Sequence, residues 1–165
     1  ATIGYAFDSG FSLAGGVSST PDEILGDNTD IFGVEAAYNA DGYGVAVAYA
    51  SNDGGTSTDT TYWGINGYYT FDIASLSVGY ETSDDGSADA TGYFVGLSFP
   101  EVGPGSVNVA AATVGLTTDA APEYMVYEAS YSYPVNDGMT LTPGVFVKEG
   151  SSDETGVAVK ASFSF

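Results

Sequence analysis

The chain is written in a two-residue rhythm. Its last segment reads Val157, Ala158, Val159, Lys160, Ala161, Ser162, Phe163, Ser164, Phe165, apolar residues alternating with small or polar ones until a phenylalanine stands last. A period of two belongs to an extended strand whose two faces meet different surroundings. Ten earlier segments repeat the pattern, and it predicts eleven strands at roughly 1–7, 10–17, 31–39, 43–51, 60–71, 73–82, 91–99, 105–115, 123–133, 139–148 and 155–165.

The connections between these strands alternate in length. Short turns are expected at Asp8-Ser9, Ala40 to Gly42, Asp72, Pro100 to Pro104 and Pro134 to Gly138, and longer polar loops at 18–30, 52–59, 83–90, 116–122 and 149–154. A soluble sandwich has little reason to sort its connections this way. An antiparallel up-and-down transmembrane β-barrel does, with tight turns on one side of the membrane and longer loops on the other. The acids follow the sorting: Asp22, Glu23, Asp27, Asp30, Asp53, Asp59, Asp84, Asp85, Asp89, Asp119, Glu123, Glu149, Asp153 and Glu154 lie in or beside the long loops.

Composition narrows the chemistry. Twenty-two acids against two lysines, with no histidine, give 165 residues a formal charge of −20, which opposes any nucleic-acid partner. Thirteen Tyr, nine Phe and one Trp are too many aromatics for a disordered acidic tail. The absence of cysteine and histidine removes disulfides, thiolates and the commonest metal ligand and general base, so no cofactor, metal site or catalytic residue is expected. No run approaches the ~20 apolar residues of a membrane helix, but a barrel crosses with strands of ~10 residues. A charged, apolar leader is also lacking, which suggests a mature form or an excised piece.

Side-chain parity separates the faces. Tyr43, Val45, Val47 and Tyr49 alternate with Gly44, Ala46 and Ala48, while Trp63, Ile65, Gly67, Tyr69 and Phe71 alternate with Tyr62, Gly64, Asn66, Tyr68 and Thr70. Ala74, Leu76, Val78 and Tyr80 share a face, as do Tyr93, Val95, Leu97 and Phe99, and Met139, Leu141, Val145 and Val147. On this apolar face the aromatics gather at strand ends. Trp63, Tyr80 and Tyr93 lie on the loop side, and Phe7, Phe11, Tyr38, Tyr43, Phe71, Phe99, Tyr133 and Phe165 on the turn side. Two such girdles suit the two interfaces of a bilayer. The alternative is a two-layer sandwich, which would concentrate bulky aromatics at strand centres.

The opposite face is mostly Gly, Ala, Ser, Thr and Asn, too small to fill a wide interior, and implies a water-filled lumen. Glu35, Glu81, Glu128, Lys148 and Lys160 have this parity and are the pore-lining candidates, with Lys148 expected near the outer mouth and Lys160 roughly mid-strand. A lysine facing lipid at mid-depth would cost ~2–4 kcal/mol, which requires the inward assignment. Eleven strands leave the two chain ends on opposite sides, whereas a complete bacterial barrel has an even number. The expectation is that further strands, from a missing amino-terminal part of the same chain, other copies or a separate fragment, complete the sheet.

The stretch MTLTPGVFVKEGSSDETGVAVKASFSF, Met139 to Phe165, resembles the final hairpin of cyanobacterial major outer-membrane porins, the S-layer-homology, carbohydrate-selective-porin-like group. The segments GYGVAVAYAS at 42–51 and YWGINGYYTFD at 62–72 look like internal strands of that family. The resemblance implies a homotrimer in outer-membrane lipid that passes small solutes and inorganic ions, and an amino-terminal peptidoglycan-binding domain that does not appear here. It implies no catalytic residues. It also implies that Phe163 and Phe165, in an aromatic carboxyl-terminal strand, serve as the membrane-insertion signal.

The expected function is passive diffusion of small hydrophilic solutes and ions across a bacterial outer membrane, with the acidic loops facing the exterior. The competing reading is a non-transporting structural or adhesive β protein, or a porin fragment in an extended assembly, whose acidic loops bind Ca²⁺ or a surface partner. Loops such as 51–60 and 82–90 carry oxygen ligands but not the spacing of a known calcium loop.

Overall fold

Strand alternation along the chain becomes a single sheet in space. The computed structural model describes residues 1–21, 28–53, 59–86, 89–113, 117–118, 124–150 and 152–164. The strands are β1 (Thr2–Ala6), β2 (Phe11–Pro21), β3 (Asn28–Ala40), β4 (Tyr43–Asn52), β5 (Thr60–Thr70), β6 (Ser75–Asp84), β7 (Asp89–Val102), β8 (Gly105–Thr113), β9 (Thr117–Thr118), β10 (Met125–Asn136), β11 (Met139–Glu149) and β12 (Glu154–Phe163). Eleven of them form one antiparallel path in chain order, as the sequence predicts, with β9 off the path. β9 lies inside the expected loop 116–122 and returns to the sheet, pairing Thr117 with Thr91 and Thr118 with Ala90 of β7. Among the described residues, β1 and β12 each pair on one side only.

The ladders reach further toward the loops than the hydrophobic pattern suggests. β2 and β3 stay in register from Phe11↔Tyr38 to Pro21↔Asn28, leaving 22–27 of the expected loop 18–30. Serine and threonine there pair as well as valine does, because a ladder is made by backbone groups. At the turn side, β7 runs through Pro100 to Val102 and slips register between Phe99 and Val102, and β10 slips between Pro134 and Asn136. Proline brings no N–H to the ladder: Pro100 lies within the first slip, and the second follows directly after Pro134, which itself stays opposite Thr140. Tight turns need glycine where φ is positive: Gly10 and Gly42 have φ of 85° and 82°.

Nothing in this sheet resembles a dry core. Among the described residues only Gly44, Ala74, Ala90 and Gly92 are buried, and none carries a side chain larger than a methyl group. The chain exposes 10873 Å², whereas a compact water-soluble chain of 16.8 kDa exposes about 7600 Å². Trp63 is 47% exposed, Val95 45% and Val145 53%. This overturns the two-layer sandwich, whose second layer would have covered these side chains. The architecture is a single antiparallel up-and-down sheet with no second layer over either face.

Cross-strand fit supplies cohesion on the small-residue face. Tyr68 stands opposite Gly44, Phe94 opposite Gly79 and Phe146 opposite Gly156. A Cβ on any of these glycines would run into the ring of its partner, so each ring leans over the backbone of the neighbouring strand. Gly79→Val should therefore expel the Phe94 ring and cost roughly 1–3 kcal/mol. Adding Phe94→Ala to the same chain should return much of that loss. Urea unfolding in lipid vesicles checks both, and an unaltered cost in the double variant would show that the ring does not sense the glycine.

Candidate functional site

Register decides which side chains share a wall. Glu35 pairs with Ala14 and Ala48, Ala48 with Gly64, Gly64 with Glu81, and Glu81 with Gly92, so Glu35 and Glu81 stand in one row across β2 to β7. Three strand spacings separate the two glutamates, about 14 Å. Glu128 pairs with Ala110 and Phe146, in the row that passes through Gly96. Because Gly96 is four residues beyond Gly92, that row lies about 13 Å nearer the turn side, measured along the strand. Lys148 faces Val126 and Glu154 across its two ladders, and Lys160 faces Thr142.

All five sequence-predicted charges thus lie on the small-residue face, spread along the strands from loop side to turn side. Their neighbourhoods differ. The Lys148 ammonium lies 4.8 Å from the centroid of the Tyr124 ring, a cation–π contact at the loop-side end of β11. Lys160 is the seventh of the ten residues of β12, opposite Thr142, whose Oγ1 lies 3.1 Å from Ser132 Oγ. Besides Tyr124, the described strands of this face carry the large rings of Tyr62, Tyr68, Phe94 and Phe146. Phe94 and Phe146 were not evident as members of this wall, because the glycines that accommodate them lie on other strands.

On the apolar face the aromatics form two groups, and the loop-side one lies inward of the strand ends, with Tyr80 sixth of the ten residues of β6. On the loop side the rings of Trp63 and Tyr80 are 5.3 Å apart, and Tyr80 pairs with Tyr93. On the turn side Tyr43 lies 6.0 Å from Tyr38, Phe71 4.7 Å from Tyr69 and Tyr133 6.5 Å from Tyr131. Tyr5, Phe7 and Phe11 extend this belt at 4.6 and 5.7 Å, and Phe99 continues it opposite Val107. Tyr5 and Tyr131 join it through residues two positions on, a spacing the strand parity already contains. Phe163 pairs with Met139 at the same edge, while Phe165 lies outside the described residues.

Acids concentrate at the loop-side ends. Asp30, Asp53, Asp59, Asp84, Asp85, Asp89, Glu149, Asp153 and Glu154 occupy strand ends or the residues beside them, and Asp22, Glu23, Asp27, Asp119 and Glu123 lie outside the described residues. Two of these acids hold turns: Asp84 Oδ1 accepts from the Gly86 N–H at 2.6 Å, and Asp153 Oδ1 from the Gly150 N–H at 3.3 Å. No group of three metal-ligating side chains comes together among the described residues.

A two-faced sheet of eleven meandering strands with an aromatic-rimmed apolar face is accompanied by a direct family match: the Gram-negative porin family covers residues 1–155. The chain belongs to the Gram-negative porin family. As a porin it resides in the bacterial outer membrane. No curated protein matches it. Among solved structures, "OmpTdeltaL8 (loop L8 deletion mutant of OmpT), an outer membrane protein of Vibrio cholerae", is similar with a TM-score of 0.75 at 14% identity. The match covers 98% of the porin described here and 61% of that chain, so this porin chain spans less than two thirds of the length of its structural relative. The structure titled "KdgM porin in complex with disordered oligogalacturonate" aligns at 15% identity over 99% of this chain and 90% of its own, with a TM-score of 0.49.

Proposed function

We propose that this porin forms a large part of the wall of a water-filled channel through which small hydrophilic solutes and inorganic ions diffuse passively. The carrying observation is the division of the sheet into a face of aliphatics between aromatic belts and a face of small, polar and charged residues. The first face meets lipid and the second the lumen. Glu35, Glu81, Glu128, Lys148 and Lys160 line the pore, and the acidic loops face the exterior.

Three glutamates against two lysines, behind an acidic mouth, favour cations. The remainder of the barrel comes from an amino-terminal part of the same porin, and three barrels associate as a homotrimer in the manner of the cyanobacterial group that the last hairpin resembles. Phe163 and Phe165 mark the strand for insertion. Full-length protein in planar bilayers should give stable single-channel steps in KCl. Detergent-resistant β structure without conductance would overturn the reading. It would favour instead a porin fragment in an extended assembly, which the one-sided pairing of β1 and β12 supports.

A further inference from the structure

A hollow of ≈ 510 Å³ lies over β4 to β8. That volume is in the range of sites that hold a small molecule. Its make-up on the small-residue face is specific. Gly64 leaves the floor bare, the Phe94 ring covers Gly79, and Tyr62, Asn66 and Glu81 stand around it. Register sets their order along the strands. Gly64 pairs with Glu81, Tyr62 with Ser83 one step toward the loops on the same face as Glu81, and Phe94 with Gly79 one step toward the turns. On its face Glu81 is therefore flanked by Tyr62 on the neighbouring strand toward the loops and by Phe94 toward the turns, with Asn66 opposite Gly79 in the same row as Phe94.

Glu81 has no basic neighbour. Neither β6 nor the strands on either side, β5 and β7, carry a lysine or arginine. A bare metal ion would find one carboxylate and one amide among apolar surfaces, a poor replacement for its water shell. An ammonium carried on an apolar body uses everything present: its charge meets Glu81, and its methyl or methylene groups meet the electron-rich faces of Tyr62 and Phe94.

We infer that the hollow around Glu81 is a binding station for small organic cations, at which a permeating alkylammonium solute pauses between the Tyr62 and Phe94 rings. The inference rests on the channel reading and adds a solute class to it. Inorganic cations pass the station, and organic ammonium ions dwell there and hold up the current.

Two measurements separate this proposal from the channel reading. In bilayers, the full-length porin carrying KCl current should be blocked by benzyltrimethylammonium from the loop side. Glu81→Gln should raise the half-blocking concentration about ten-fold, and Tyr62→Leu should raise it by a smaller factor. Benzyl alcohol and benzenesulfonate at the same concentrations should not block. Equal block by the neutral or anionic probe, or an unchanged half-blocking concentration in E81Q, would overturn the station while leaving the channel intact. Absence of any KCl current would overturn the channel reading. The station would still be tested by saturation-transfer NMR of benzyltrimethylammonium with the folded protein in detergent micelles, where transfer should be present in native protein and lost in E81Q. Transfer that persists in E81Q would remove it.

Discussion

Val95→Arg will destabilise the folded wall by about 2–4 kcal/mol, whereas Ala110→Arg will be nearly neutral. The two residues lie on adjacent strands and one ladder step apart, Val95 beside Ala111 and Ala110 beside Gly96, yet on opposite faces. Val95 sits between Val78 and Ala111 in a row of aliphatics, between the loop-side Trp63–Tyr80 pair and the turn-side belt. A guanidinium there must enter hydrocarbon or drag water to it. At Ala110 the same side chain enters the face that carries Glu128, its direct ladder neighbour, and gains a carboxylate partner. Unfolding by urea in vesicles of fixed lipid composition compares them. Equal losses in the two variants would mean that the faces have been assigned to the wrong solvents.

The second large effect concerns charge selection. Joint replacement of Glu35, Glu81 and Glu128 by glutamine leaves, among the described strand residues of the small-residue face, Lys148 with Glu154 opposite it and Lys160. A carboxylate within about 5 Å of the ion path, in water-like dielectric, contributes about 0.8 kcal/mol, roughly a four-fold preference for cations. Salt screens a charge over ~8 Å, so an acid further than that from the ion path adds little inside the pore. The reversal potential in a KCl gradient should shift from the cation side toward the anion side. The pair Lys148→Gln with Lys160→Gln should move it the other way. If the triple variant leaves the potential in place, selectivity resides in the mouth and not in these residues.

What the sequence made legible follows from how local the signal is. The alternation of Val45, Ala46, Val47 and Ala48 needs no partner to be read, and it fixes both the faces and, through Glu35 and Lys160, the wall to which the charges belong. Phe94 breaks the rule that this wall is made of small residues. Its place depends on Gly79, fifteen positions earlier, and only the ladder register brings the two together. The same is true of Phe146 and Gly156. β9 was missed because two threonines carry no periodic signal, and the strand exists only through its pairing with Thr91 and Ala90. The bulges at Pro100 and Pro134 were hidden inside expected turns, since a proline near a turn reads as an end rather than as a slip in a strand that continues.

Those two slips reach beyond geometry. In a wall one residue thick, each position answers to a single solvent, so the range of amino acids that evolution accepts should rise and fall with every step along a strand, like a two-beat signal. At Phe99 to Val102 and again at Pro134 to Asn136 the ladder counts one residue more on one side than on the other. The beat is displaced by half a period there, and the residues beyond each slip speak the vocabulary of the opposite face. The substitution record of such a wall should therefore mark the two places where its ladder is re-phased.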